Sequence, residues 1–325
     1  MRTIATWIGN LAIAGVIALG AAPAAAQVYP AKAVRVIVPF PAGGGSDILA
    51  RAIAEKLTAG LGQQFLVDNR SGAGGALGTE LAARAPADGY TIIFSSSSAL
   101  VIGPNLVRKP PYDPLRDFAA VTLAASAPNV LVIHPSLPAR SVRELISLAK
   151  RHPGELNFAS NGVGTLSHLT GELLKLRAGV DMLHVPYKGG APAVIDTVAG
   201  HTSALFAAFP TVAPQVRAGR LRALAVSSAR RAAVAPELPT VAETLPGFES
   251  SQWWAVLAPA GTAAGTVSRL NAELQKVLAQ ADVRKRFAAD AAEPIGGTPA
   301  ECHEFMRADY EKWGKLIGQT GLKPR

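Results

Sequence analysis

Short apolar runs rich in β-branched residues alternate with stretches whose apolar positions recur at helical spacing, almost from end to end. Val34-Arg35-Val36-Ile37-Val38 is the first strand, ending at Pro39-Phe40-Pro41 and the glycine run Gly43-Gly44-Gly45. Ser46 or Asp47 then caps a helix with Ile48, Leu49, Ile53 and Leu57 at its apolar positions, stopping near Gly60 and Gly62. Phe65–Val67 predicts a second strand. Gly72-Ala73-Gly74-Gly75 opens a helix over Leu77–Arg84, and Tyr90–Phe94 is a third strand running into Ser95-Ser96-Ser97-Ser98. From Val121 a strand-like passage includes Val130–Ile133 and leads to a helix over Val142–Arg151. Leu156–Ala159 is a short strand, followed by Asn161-Gly162-Val163-Gly164-Thr165 and a helix over Ser167–Arg177. Further strands fall at Met182–Val185, Ala204–Ala207 and Ala223–Val226, with helices between them. Trp253–Leu257 is another long apolar passage, and helices over Ala264–Ala279 and Pro299–Thr320 finish the chain. This alternation predicts an α/β fold with mixed, mainly parallel sheets.

Three strand-to-helix junctions share one form: small, flexible residues at a strand end, directly before a helix start. Unpaired backbone N–H groups and the positive end of the helix dipole converge there. Such a point holds carboxylate or phosphate without a charged side chain. In open α/β sheets ligands gather where strands end in such loops. Several in one chain predict an anion cradle built from backbone.

The first 26 residues lie apart from this pattern. Arg2 is followed by an almost wholly apolar Leu11–Ala22 and by Ala24-Ala25-Ala26, the small-residue signature of a cleaved export signal. The expected mature start is Gln27, in the periplasm. A retained anchor is the alternative, although the apolar run is short for a span of about 20 residues. The remainder is long enough for two domains of common size. A single cysteine, Cys302, excludes an intramolecular disulfide and a multi-cysteine metal site. The net charge of +9 is spread over singly placed Lys and Arg residues rather than a basic stripe with interleaved aromatics. No nucleic-acid partner is expected; the charge favours anionic ligands weakly and otherwise solvates the surface.

Enzyme and cofactor motifs fail on inspection. Gly43-Gly44-Gly45-Ser46-Asp47 lacks the Gly-Lys-Ser/Thr of a phosphate-binding loop, and Ile48 occupies the third glycine position of a dinucleotide fingerprint. Ile48 also stands where a nucleophile elbow around Ser46 needs its second glycine. Ser147-Leu148-Ala149-Lys150 matches Ser-x-x-Lys, but its companion motifs are absent. His303-Glu304 lacks a second histidine, since Arg307 takes that place, so no metal or other cofactor is expected. His168 sits in the first turn after Asn161–Thr165, and two readings stand for it: a satisfied structural histidine, or a ligand-facing one.

The assembled segments resemble the Bug family, the periplasmic binding components of tripartite tricarboxylate transporters. The resemblance runs from Tyr29-Pro30 to the C-terminus. It includes Val38–Asp47, Asn69–Gly75, Ala87–Thr91, Pro111–Pro114 and Asn157–Ser160. It continues through Thr165–Glu172, His184–Gly189, Ala258–Gly261 and Glu293–Pro299. It implies a non-enzymatic, two-lobe Venus-flytrap fold of type II with a central ligand cleft. The expected division is 27–125 and 251–325 for the first lobe and 126–250 for the second, with crossovers in the two long apolar passages. In this family the ligand carboxylate is held mainly by backbone groups and waters from facing loops. The matching loops here contribute Phe40, Ala42, Gly43, Gly44, Ser46 and Asp47, and Asn161, Gly162, Gly164 and Thr165. Ser96, Ser97, His168, Tyr187, Lys188 and Ala207 are cleft candidates by position. The implied protein is a monomer that takes a small carboxylate and docks transiently on membrane permease subunits. A receptor-kinase sensor using the same cleft, or a hydrolase using Ser46 or Ser97, are the competing readings.

Two segments depart from the family pattern. Ser98-Ala99-Leu100-Val101-Ile102-Gly103 replaces Ser-Thr-His-Ala-Ile-Asn, and Leu205-Phe206-Ala207-Ala208-Phe209-Pro210 replaces Met-Phe-Asp-Asn-Leu-Pro. If Leu100, Gly103, Ala207 and Ala208 line the cleft, the wall beyond the anion anchor is less polar, which favours a monocarboxylate with an apolar or aromatic body. Drift at noncontacting positions is the alternative.

Overall fold

A computed structural model describes residues 29–289, 291–320 and 322; the expected export signal and Gln27 lie outside these. The chain first runs β1 (Val34–Val38), α1 (Gly45–Leu61), β2 (Phe65–Asn69), α2 (Ala76–Ala83) and β3 (Thr91–Ser96). The long β4 (Phe118–Ile133) follows, then α3 (Val142–Arg151), β5 (Asn157–Ser160), α4 (Leu166–Ala178) and β6 (Leu183–Pro186). Next come α5 (Gly190–Val198), β7 (Ala204–Ala208), α6 (Phe209–Arg217) and β8 (Arg222–Val226). The chain closes with β9 (Ser251–Pro259), α7 (Ala264–Ala279), α8 (Ala281–Ala289), β10 (Glu293–Gly296) and α9 (Pro299–Gln319).

Two sheets share β4 and form the two α/β lobes. The first has the order β2-β1-β3-β9-β4, with β10 on the far side of β4. The second has the order β4-β7-β5-β6, with β8 also paired to β4. Parallel pairing holds on the outer strands, β1 with β2 and β3, and β5 with β6 and β7. The pairings made by β4 and β9 are antiparallel, so each sheet is mixed. The end of β4 from Phe118 to Pro128 pairs with β9, whereas Asn129–Ile133 pairs with β7. The strand thus leaves one sheet and enters the other around Pro128-Asn129.

Alternate faces of the first sheet bury different side chains, as the period of two requires. Val34, Val36 and Val38 pack with Leu49, Ile53 and Leu57 of α1 and Leu270 and Leu274 of α7. Ile37 and Ile93 face the other cluster, with Trp253, Trp313 and Met306. Both indole N–H groups of Trp253 and Trp313 donate to the buried carboxylate of Asp309, at 2.7 and 3.0 Å. Cys302 is buried in this cluster as a packing residue, and burial pushes its thiol pKa up to about 12. Two elements have no counterpart in the sequence pattern. A break at Gln280 separates α8 from α7, and β10 carries Pro294, a residue that argues against a strand except at an edge.

Candidate functional site

Because β1 and β3 are parallel, the loops after them emerge at one edge of the first sheet. The same holds for the loops after β5, β6 and β7 in the second sheet. The sequence-predicted site residues therefore fall on strand ends, where α/β folds gather ligands.

In the first loop, Gly43 adopts φ +79°, and no side chain caps α1 at Gly44. Asp47, in the first turn of α1, reaches back instead. Its carboxylate accepts from the Gly43 N–H at 2.9 Å, from Arg51 Nε at 3.0 Å and from Asn69 Nδ2 at 3.0 Å. The same Asn69 amide donates to the Phe40 carbonyl at 3.0 Å. Burial alone would raise the Asp47 pKa, but the bonds from Arg51, Gly43 and Asn69 outweigh it and hold the carboxyl below its ordinary value. Asp47 is a scaffold for the loop. Gly44 N–H is turned to the Pro41 carbonyl at 3.4 Å, so the helix-start N–H groups of Gly45 and Ser46 are the ones left without a partner among the described residues. Ser46 Oγ accepts from Trp254 Nε1 at 2.8 Å, which leaves its own proton available to donate.

The second loop is more self-engaged than the sequence implies. Asn161 N–H donates to Ser167 Oγ at 2.9 Å, Gly162 N–H to Ser160 Oγ at 3.1 Å and Gly164 N–H to His168 Nδ1 at 3.1 Å. Thr165 caps α4 and donates its hydroxyl to the Gly162 carbonyl at 2.7 Å. Among the described residues, the N–H groups of Val163, Leu166 and Ser167 remain without a partner. Gly162 and Gly164 take φ +130° and +79°, which explains two glycines in so short a loop.

His168 is a buried organiser of this loop. Its ring stacks on His184 with centroids 3.7 Å apart, and His184 Nε2 meets Ser160 Oγ at 2.7 Å. The pair thereby grips both ends of the loop. Since Nδ1 of His168 accepts from Gly164, a neutral ring carries its proton on Nε2, which lies 3.9 Å from Glu172 Oε1. Burial, then the neighbouring His184 and Lys175, lowers the His168 pKa to about 4. Burial and Lys175 do the same to His184. His184 opens the His184–Gly189 segment of the family resemblance, but it was not among the expected site residues.

The remaining positions divide. Ser96 and Ser97 are buried at the end of β3, and the Ser95 and Ser97 hydroxyls have no hydrogen-bond partner among the described residues. The Tyr187 hydroxyl donates to Asp196 at 2.8 Å, while Lys188 is exposed. Ala42 is exposed on the first loop. Ala207 is buried with Val130 and Ala159 in the core of the second sheet, and Ala208 is exposed. Leu100 is fully buried in the main core, which agrees with the alternative of a noncontacting position rather than with a place in the cleft wall. Gly103 does line a cavity. That cavity, about 520 Å³, is bounded by Phe40, Ser98 and Gly103 on one side and Val163, Gly164 and Thr165 on the other. It therefore touches both predicted anchor loops. The sides meet where a Cβ on Gly164 would fall 2.6 Å from Leu106 Cδ1. Pro104, Leu106, Val107 and residues 110–112 supply much of the wall, and of these only Pro111 and Tyr112 belong to a segment of the family resemblance.

Neither Ser46 nor Ser97 has a histidine or carboxylate hydrogen-bonded to its hydroxyl among the described residues. A nucleophile needs such a base within reach. No three His, Cys, Asp or Glu side chains converge into a metal site among the described residues, and none of the described helices is long and apolar enough to cross a membrane.

Comparison with known proteins agrees with this geometry. The family model described as Tripartite tricarboxylate transporter family receptor matches residues 49–322. Protein BugT of Bordetella pertussis is 41% identical over 305 residues, which are 93% of this chain and 94% of that protein. Among solved structures, R. palustris Rpa4515 with adipate is 37% identical, with a TM-score of 0.77 over 91% of this chain and 100% of that one. MatC from Rhodopseudomonas palustris, with bound malate, is 31% identical with a TM-score of 0.72 over 89% and 100% of the two chains. With a family match spanning most of its length and relatives aligned nearly end to end, the chain belongs to the tripartite tricarboxylate transporter receptor family of binding proteins.

Proposed function

We propose that this chain captures a small carboxylate between its lobes in the periplasm and delivers it to the membrane permease of a tripartite tricarboxylate transporter. The observation that carries the reading is the pair of helix starts with spare N–H groups: Gly45 and Ser46 on α1, and Val163, Leu166 and Ser167 around the start of α4. Each provides aligned donors and the positive end of a helix dipole. Two similar proteins were solved with adipate and with malate, which supports the ligand class. The lobes are 27–125 with 251–325, and 126–250, and ligand bridging them favours the closed arrangement by differential contact. Ser46 donates its free proton to the carboxylate, and Phe40, Thr165 and the Ser96-Ser97 turn border it. Asp47 and His168 act through the loop N–H groups they hold, and Tyr187 is engaged with Asp196.

Calorimetry with paired acids and amides tests this directly. A carboxylate should bind one to one while its neutral amide binds at least about tenfold more weakly, one charge-assisted hydrogen bond's worth. Ser46→Ala should weaken the acid and leave the amide nearly unaffected. Equal binding of acid and amide would sink the proposal.

A further inference from the structure

We infer that the carboxylate captured here is joined to an apolar body, a hydrocarbon chain or aromatic ring, seated in the cavity between Phe40 and Val163, and that a second carboxylate is rejected. The inference rests on the carboxylate anchoring proposed above and adds the chemistry of the rest of the ligand.

Four observations on the cavity carry it. Phe40, Leu106, Val107 and Val163 present hydrocarbon to a space of about 520 Å³, a size suited to a small organic ligand. Val107 and Val163 approach it from opposite sides and are 41% and 50% exposed, so apolar surface there awaits a partner. The polar side chains on the wall are already engaged: the Tyr112 hydroxyl donates to the Ala99 carbonyl at 2.5 Å, Ser98 to Gln252 Oε1 at 3.4 Å and Thr165 to Gly162. Finally, Gly103 lines the space without a side chain, so a larger residue at this position would add atoms to the wall.

Among the described residues no Lys, Arg or His lines this cavity. A second carboxylate carried into it would lose its water and gain no cation, a penalty that hydrocarbon of the same length avoids. The ligand end opposite the anchor is therefore selected by what the wall lacks as much as by what it contacts.

Hexanoate and adipate share a six-carbon skeleton and differ in the second carboxylate, which makes them the probes. Calorimetry on the unliganded full-length mature chain should show hexanoate and benzoate binding at least about tenfold tighter than adipate or malate. Val107→Arg places a cation on an already exposed part of the wall, so the fold is not at risk. It should strengthen adipate, weaken hexanoate and collapse the ratio. Gly103→Asn should lower the affinity for hexanoate and benzoate by narrowing the cavity. Adipate or malate binding as tightly as hexanoate would overturn the inference and leave carboxylate capture standing. So would a hexanoate preference that neither substitution alters, since the body would then lie elsewhere. Hexanamide binding as tightly as hexanoate, or no carboxylate binding at all, would overturn both.

Discussion

At the scale of single residues, the side chains nearest the anchor act mainly on the backbone. Asp47 holds Gly43, and His168 holds Gly164, each by one hydrogen bond to a loop N–H. The stacked pair of His168 and His184 makes this arrangement sensitive to acid. Glu172 and Lys175 of α4 are the charged side chains beside it, and Ser160 of β5 and Phe158 complete its surroundings. An unfolded histidine takes up a proton below about pH 6.5. In the fold both rings stay neutral down to about 4, because burial disfavours the charged form. Between those values the unfolded chain binds more protons, so stability falls as pH drops through the window and levels off below it. Urea denaturation across the window should register a loss of roughly 3 kcal/mol or more, shared between the two rings because both are lowered to about 4. His184→Phe keeps the stack and should flatten part of the slope; a slope unchanged in that variant would assign the titration to other groups.

At the scale of elements, a helix start becomes a binding group only if its N–H groups are left over. α1 and α4 satisfy this in different ways: α1 has no side-chain cap, while Thr165 caps α4 yet leaves Leu166 and Ser167 free. Gly164 decides how closely the second loop approaches the first lobe. Its φ of +79° disfavours any side chain, and a Cβ would press on Leu106. Gly164→Ala should therefore cost about 1–2 kcal/mol of stability and lower carboxylate affinity by about tenfold. Affinity that survives unchanged would separate this approach from ligand capture.

At the scale of the molecule, β4 and the segment entering β9 join the lobes, and Ser227 ties them together. Its Oγ accepts from Asn129 N–H at 2.9 Å and donates to the Ser250 carbonyl. Its backbone N–H donates to Asn129 O at 2.8 Å and its carbonyl accepts from Ser250 N–H at 2.9 Å. All three residues are buried, so Ser227→Ala leaves a donor and an acceptor unpaired where water does not replace the bond. A loss of about 1–3 kcal/mol in chemical denaturation is expected. Hinge motion about this strap should appear in solution scattering as compaction on binding a tight carboxylate, and its absence would count against closure.

Periodicity and turn chemistry are local, and they are what the amino-acid sequence determined by itself. The short apolar runs at Val34–Val38 and Leu156–Ala159, the helical face of α1, the span of α3 and the glycine loops before α1 and α4 were all legible, because neighbours a few positions apart dictate them. The family followed from motifs in order along the chain. Which donors remain free was decided by tertiary structure, through partners far apart in sequence: Trp254 on Ser46, Asn69 on Asp47, and His184 stacked on His168. The same is true of Leu100, whose apolar side chain reads equally well as cavity wall or core until the turn after β3 aims it inward. Hydrogen-bond donors are consumed by whichever acceptor the fold brings near, so a glycine-rich loop names a place for an anion while the packing around it decides which groups bind.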